Sequence, residues 1–287
     1  MHNLYLKIGP VSYHIHSENE LVEHETCANF LVPELPENAI DVELCAVDSL
    51  KEPCGKRIHQ SSQRLIYREE NGLEHRVNLW GSQLLGISHE QGENSLMAEI
   101  PAPKDMEIPL NTSILEFLNL EKHLLKHEAL VLHSSFIEYE GKAILFTAPS
   151  GTGKSTQANL WKKYEGTEII NGDRSIVHRT APGVFQMHGL PFCGSSQIHL
   201  NKEMPLGAIV FIEQHPTNIV EPMSPAHAFG KLYGEMSINS WNREAVEKGM
   251  QVIENLVASI PMVHLKCNME QDAVNTLKNY LHEKAGY

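Results

Sequence analysis

AILFTAPSGTGKST, residues 143–156, is made of three pieces with different physical characters. Residues 143–146 are an apolar run of the kind that fills a buried strand, residues 147–153 are a turn of small residues, and TQANLWKK, from Thr156, suits a helix. A strand, a small-residue loop and a helix, in that order around Gly153-Lys154-Ser155, is the setting of a phosphate-binding P-loop. Loop N–H groups and the positive end of the helix attract phosphate oxygens. In this arrangement Lys154 reaches the β- and γ-phosphates and the Ser155 hydroxyl sits on Mg²⁺. The first glycine of Gly-x-x-x-x-Gly-Lys-[Ser/Thr] falls on Ala148, while Gly151 and Gly153 keep the freedom the turn needs. Ala148, Pro149, Ser150, Gly151, Thr152, Gly153, Lys154, Ser155 and Thr156 are therefore expected to cradle ATP. The bland alternative is a glycine-rich connection between a strand and a helix.

The remaining composition narrows the class. The 287 residues suffice for one large or two modest domains, and 41% hydrophobic with 21% charged residues is ordinary for a globular chain. A net charge of −13 argues against nucleic acid and anionic membrane as partners, because both require a basic face. It does not argue against ATP, which a P-loop holds through local amides, one lysine and a metal. Five cysteines without a C-x-x-C pair read as reduced thiols of a cytoplasmic protein. No signal peptide and no bilayer-spanning run is expected. Seventeen histidines are many; His123 and His127, four apart on an expected helix, offer a metal pair or, more simply, two structural histidines.

Along the chain, residues 3–16 alternate as two short strands around Gly9-Pro10. Further strands are expected at 41–47, 84–88 and 96–100, and a hairpin joins 64–67 to 76–80 through Asn71-Gly72. This makes residues 1–110 a small β-rich module without a chemical motif. From Ser113 the period becomes helical, with Ser113-x-x-Glu116 as a capping box and Ile114, Phe117, Leu118, Leu124 and Leu125 as one core stripe. Residues 111–287 then mix strands (130–137, 168–171, 206–212, 262–265, and a hairpin 175–187) with helices at 225–235, 242–259 and 269–282. The fold class is α/β (α+β).

A P-loop requires a second acid for Mg²⁺, and Asp173, after the strand 168–171, is the best placed; it is otherwise a turn aspartate. Arg174 either neutralises charge on a transferring phosphoryl group or is a solvated strand residue. Glu213 and Gln214 end the apolar strand 206–212, either facing the same cleft or merely capping that strand.

The blocks LHSSFIEYEGKAILFTAPSGTGKSTQANLW, IINGDRSIV and HGLPFCGSSQIHLNKEMPLGAIVFIEQ resemble HPr kinase/phosphorylase. They are closer still to the short kinase-like proteins of that superfamily, some of which act in peptide maturation. The resemblance covers about residues 113–287. It implies a phosphoenolpyruvate-carboxykinase-like P-loop domain with a mixed sheet, ATP and Mg²⁺ as cofactors, and phosphoryl transfer to a serine-type hydroxyl. It also implies that His133, on the strand before the P-loop strand, contacts the phosphates or the acceptor. The family carries two adjacent aspartates where this chain has Gly172-Asp173, so the first, the catalytic base, is a glycine here. Asp173 must then serve metal and base together, or His133 or another group takes over as base. The family's Glu-x-Arg-Gly segment falls on Gln186-Met187-His188-Gly189 without its charges, which disfavours HPr as the substrate. Gly189, Gly194, Ser195 and Ser196 form a flexible, hydroxyl-rich stretch near the acceptor's approach.

Taken together, the expectation is a phosphotransferase acting on a hydroxyl-bearing peptide, protein or small molecule, with Lys154, Asp173, His133 and Arg174 catalytic and Ser155 and Asp173 on the metal. A homo-oligomer is compatible with the sequence. The competing reading is a non-catalytic ATP-binding switch or scaffold that has lost its base at Gly172.

Overall fold

Residues 143–146 lie in the strand Lys142–Thr147, and they are uniformly apolar because both faces of that strand are covered. Ala143 and Leu145 enter one hydrophobic cluster with Leu132, Phe136 and Ile209. Ile144 and Phe146 enter a second with Ala158, Trp161 and Leu277. A strand covered twice loses the polar alternation of a half-exposed one. The computed structural model describes residues 1–287, in two units, Met1–His123 and Leu124–Tyr287. The strand belongs to the second.

In that unit Lys142–Thr147 runs antiparallel to Ala129–Tyr139 and parallel to Glu203–Gln214. These two long strands each change neighbours along their length. The first half of Ala129–Tyr139 pairs with Arg174–Ala181, whose hairpin partner Val184–His188 pairs with the start of Glu203–Gln214. The five strands thus form a closed circuit of pairings. Glu168–Asn171 joins the far half of Ala129–Tyr139, and Met262–Cys267 with Ile219–Pro222 widens the sheet beyond Glu203–Gln214. Helices Pro225–Glu235 and Arg243–Ser259 bury Ala228, Leu232, Val252, Ile253 and Leu256 in the first cluster. Helices Lys154–Glu165 and Gln271–Lys284 bury Ala158, Trp161, Val274, Leu277 and Leu281 in the second. The architecture is mixed α/β, with parallel and antiparallel pairs in one sheet, and no helix is long and apolar enough to cross a membrane.

The first unit is built on a nine-stranded sheet. His2–Ile8 and Val11–Ser17 close around Gly9-Pro10, with Ile8 opposite Val11 and Gly9 at φ 56°. Ile40–Val47 lies parallel to both Val11–Ser17 and Ser95–Pro101. Leu31–Val32 pairs antiparallel with His2–Ile8 at one edge, and beyond Ser95–Pro101 the strands Gln83–Gly92, Glu74–Trp80, Arg64–Arg68 and Lys56–Gln60 follow as an antiparallel meander.

The helical stripe after residue 113 departs from expectation. The cap is Asn111, whose side chain accepts from the N–H groups of Ser113 and Ile114, and the helix is only Thr112–Leu115. Glu116 is therefore not a capping partner but pairs with Arg64. Asn119, at φ 54°, stops the run before a second short helix, Leu120–Leu124. The stripe residues Ile114, Phe117, Leu118, Leu124 and Leu125 are nonetheless all buried. Residues 111–123 belong to the first unit, and His123 lies in the helix Leu120–Leu124 whereas His127 ends a separate 3₁₀ turn, Leu125–His127. The two histidines do not share a helix face. His123 is buried edge-on against Tyr13.

Candidate functional site

In the loop after Lys142–Thr147 the Thr152 N–H donates to the Pro149 carbonyl at 3.2 Å. Gly151 and Gly153 have φ of +78° and +123°, a region that L side chains avoid, and Gly153 begins the helix Lys154–Glu165 without a side-chain cap. Orphan N–H groups at that helix start are left for an external acceptor. Lys154 folds back over the loop, and its Nζ donates to the carbonyls of Ala148 at 2.8 Å and Pro149 at 3.4 Å. The residue is buried, and burial pushes its pKa down, opposed by the carboxylates of Glu235 and Asp173. From the far side Gln214 donates to the carbonyl of Thr152 at 3.2 Å, bracing the loop. Its neighbour Glu213 pairs with His264 instead, at 3.0 Å, so of the two strand-end residues only Gln214 meets the loop.

The Gly172-Asp173 turn stands opposite. It is built by Asn171, fully buried, whose Oδ1 accepts from the N–H groups of Asp173 and Arg174 at 2.9 and 3.0 Å. The Asn171 amide in turn donates to Leu190 and Phe192 carbonyls at 2.9 and 3.0 Å, tying the turn to the segment that follows Val184–His188. The Ser155 hydroxyl donates to the Gly172 carbonyl at 3.3 Å. A Cβ on Gly172 would lie 2.4 Å from Ser196 Oγ, so a side chain there requires Ser196, in the 3₁₀ turn Gly194–Ser196, to move. Gly194 similarly faces the Asp173 carboxyl, which a Cβ would meet at 2.7 Å. Ser196 Oγ donates to the Cys193 carbonyl at 2.6 Å.

His133 completes the group. Its Nδ1 lies 2.9 Å from Glu235 Oε2, and its Nε2 3.8 Å from Asp173 Oδ1. A carboxylate accepts only, so a neutral imidazole here carries its hydrogen on Nδ1 and turns the Nε2 lone pair toward Asp173 and the cleft. Arg174 Nε is 3.4 Å from Asp173 Oδ2, with its guanidinium stacked over Phe192.

A cavity of about 280 Å³ brings together His133, Ser150, Gly151, Gly153, Lys154, Ser155, Thr156, Gly172, Asp173, Ser195 and Ser196. Ala148 and Pro149 contribute carbonyls to Lys154, and Thr152 faces a neighbouring cavity of about 530 Å³ that also touches Gln157, Gln214, His215 and Met269. Gly189 lies apart, pressed against the Leu200 carbonyl. The chemistry of the lining is one ammonium and a row of amides for an anion, with a hydroxyl and a carboxylate of the type hard divalent cations take. Asn171 and Glu235 escape sequence reading. Asn171 carried a local signal, since Asn before Gly-Asp favours this turn; Glu235, 102 residues from His133, carried none.

A family model described as SynChlorMet cassette protein ScmC matches residues 96–278, more than half of the chain and all of this cleft. The chain belongs to the ScmC family. No curated protein matches it. A solved structure of the HPr(Ser) kinase/phosphatase from Coxiella burnetii is similar over 53% of this ScmC-family chain and 97% of that one, at 9% identity and a TM-score of 0.31. A likeness that slight carries no argument.

Proposed function

We propose that this ScmC-family chain is an ATP- and Mg²⁺-dependent kinase, with a phosphoenolpyruvate-carboxykinase-like P-loop domain, that transfers a γ-phosphoryl group to a hydroxyl of a peptide, protein or small molecule. The observation that carries the reading is the meeting of Lys154, Asp173 and a carboxylate-held imidazole in one cavity with the positive-φ glycines Gly151 and Gly153. Lys154 would turn from the Ala148 and Pro149 carbonyls to the phosphate oxygens. Ser155 and Asp173 are the oxygen donors for Mg²⁺, which when bound neutralises phosphate charge. The larger neighbouring cavity, lined by Gln157, His215 and Met269, takes the nucleoside.

With an aspartate absent at Gly172, His133 Nε2 accepts the hydroxyl proton, oriented by Glu235 and flanked by Asp173. Arg174, held on Asp173, offsets charge on the moving group. The family description names a cassette, so a co-cassette peptide or protein is the first acceptor to test. One observation favours the binding-only alternative, the filling of the space beside Gly172 by Ser196. Transfer of label from γ-labelled ATP separates the two. A labelled product that vanishes in Lys154→Ala establishes the kinase; tight ATP binding with neither transfer nor phosphate release leaves a switch or scaffold.

A further inference from the structure

We infer that the first unit carries a metal site of its own, a single divalent first-row transition-metal ion of the zinc class held by His14, His16 and Asp41. The sheet dictates the constellation. Along Val11–Ser17 the alternating positions Val11, Tyr13, Ile15 and Ser17 are buried, which turns His14 and His16 to the other, half-open face. Ile40–Val47 runs alongside in parallel, with Asp41 directly opposite His14. His14 Nδ1 is 3.0 Å from Asp41 Oδ1 and His16 Nε2 is 3.2 Å from Asp41 Oδ2. One ligand atom from each residue lies within 4.8 Å of the others.

The hydrogen bonding around the three residues asks for a cation. His14 Nε2 is 2.9 Å from Asn3 Oδ1, and an amide oxygen only accepts, so Nε2 bears the hydrogen. The Nδ1 of a neutral His14 is then a lone pair aimed at a carboxylate oxygen, acceptor against acceptor. His16 faces the same carboxylate through Nε2, while its buried Nδ1 has no hydrogen-bond partner. A metal ion between His14 Nδ1 and the carboxylate resolves that contact, with His16 Nε2 as the third ligand and the His16 hydrogen then on its buried Nδ1. Asn3 then plays the outer-shell part that fixes tautomer and ring orientation.

Two imidazoles and one carboxylate select Zn²⁺, Co²⁺, Ni²⁺ or Fe²⁺ over the oxygen-seeking Mg²⁺ and Ca²⁺. Three protein ligands and an Asp41 side chain 50% exposed leave a coordination position for water or an outside donor. The other His/Cys/carboxylate cluster, Cys54, Glu69 and His75, does not compare. It offers one imidazole where the first offers two, and its thiol is on an exposed residue.

The test is calorimetric titration of the full metal-free chain with Zn²⁺, repeated with Co²⁺ to read its visible absorption. The expected result is one tight equivalent that is lost in His14→Gln/His16→Gln. Asn3→Ala should weaken it about 10- to 100-fold, the range for an outer-shell partner. Asp41→Asn, which preserves shape and removes the charge, keeps the question open to test if the double variant fails to fold; it should weaken binding as well. No uptake by the wild type, or equal affinity in wild type and Asp41→Asn, overturns the site.

Discussion

Lys154 holds a charge that the fold has largely taken out of water and partnered with carbonyl oxygens. Its folded pKa lies below the unfolded one, so the unfolded chain keeps the proton more tightly and neutral pH bears the full cost. That cost lifts only as pH climbs through the folded value toward about 10.5. A phosphate bound there would relieve it without deprotonation. Lys154→Met should therefore leave the ligand-free melting temperature unchanged or raised, while ATP affinity falls by roughly 10- to 150-fold, the value of one or two charge-assisted bonds. Titration calorimetry reads the second effect, and unchanged affinity removes Lys154 from the site. His133 and Glu235 form the other residue-scale unit. His133→Ala should cut kcat by about 10²- to 10⁴-fold, the range for a general base. Glu235→Gln still offers an amide oxygen to Nδ1 but no charge, so it should lower kcat less, with KM for ATP unchanged. A rise in KM alone would instead make Glu235 a scaffold of the binding site.

Two short turns, Gly172-Asp173 and Gly194–Ser196, face each other at the element scale and decide what position 172 can be. Gly172→Asp, which restores the paired-aspartate pattern, should push Ser196 aside and cost about 1–3 kcal/mol as overpacking does. Ser196→Gly added to it should return most of that stability; thermal melts of the three proteins check this, and an undisturbed single variant would refute the clash. A glycine that reads in sequence as a missing base is, in the fold, a close approach between two turns. Legibility divides on this same line. AILF and GTGKST were readable because both burial on two faces and the loop-to-helix transition are local. Gly9-Pro10 announced its hairpin for the same reason. The Ser113 box misled because Asn111, two residues earlier, was already a sufficient cap, and nothing local forces Asn119 into the left-handed region that ends the helix. Ser196 against Gly172, and Glu235 against His133, are meetings of distant segments, and no spacing rule reaches them.

Each of the two units of the whole molecule contains a histidine whose neutral form the fold prefers. His89, in Met1–His123, is pushed down by burial and then by His75; His178, in Leu124–Tyr287, by burial and then by His127. Glu99 opposes the first shift, and Glu203 and Glu128 the second, without reversing either. With folded values below about 6.5, the folded chain binds fewer protons than the unfolded one as acid is added. The stability these sites contribute is intact above about pH 6.5 and drains away as pH falls below it. The melting temperature should decline between about pH 7 and pH 5, before most carboxylates titrate. Because each unit carries its own site, the effect should be separable. His89→Gln should flatten the acid slope of the first unit's transition and His178→Gln that of the second, with both slopes following pH unchanged above about 7. Equal acid slopes in wild type and both variants would assign the loss to other groups. A slope flattened in both transitions by one variant would show that the two units unfold as a single cooperative body.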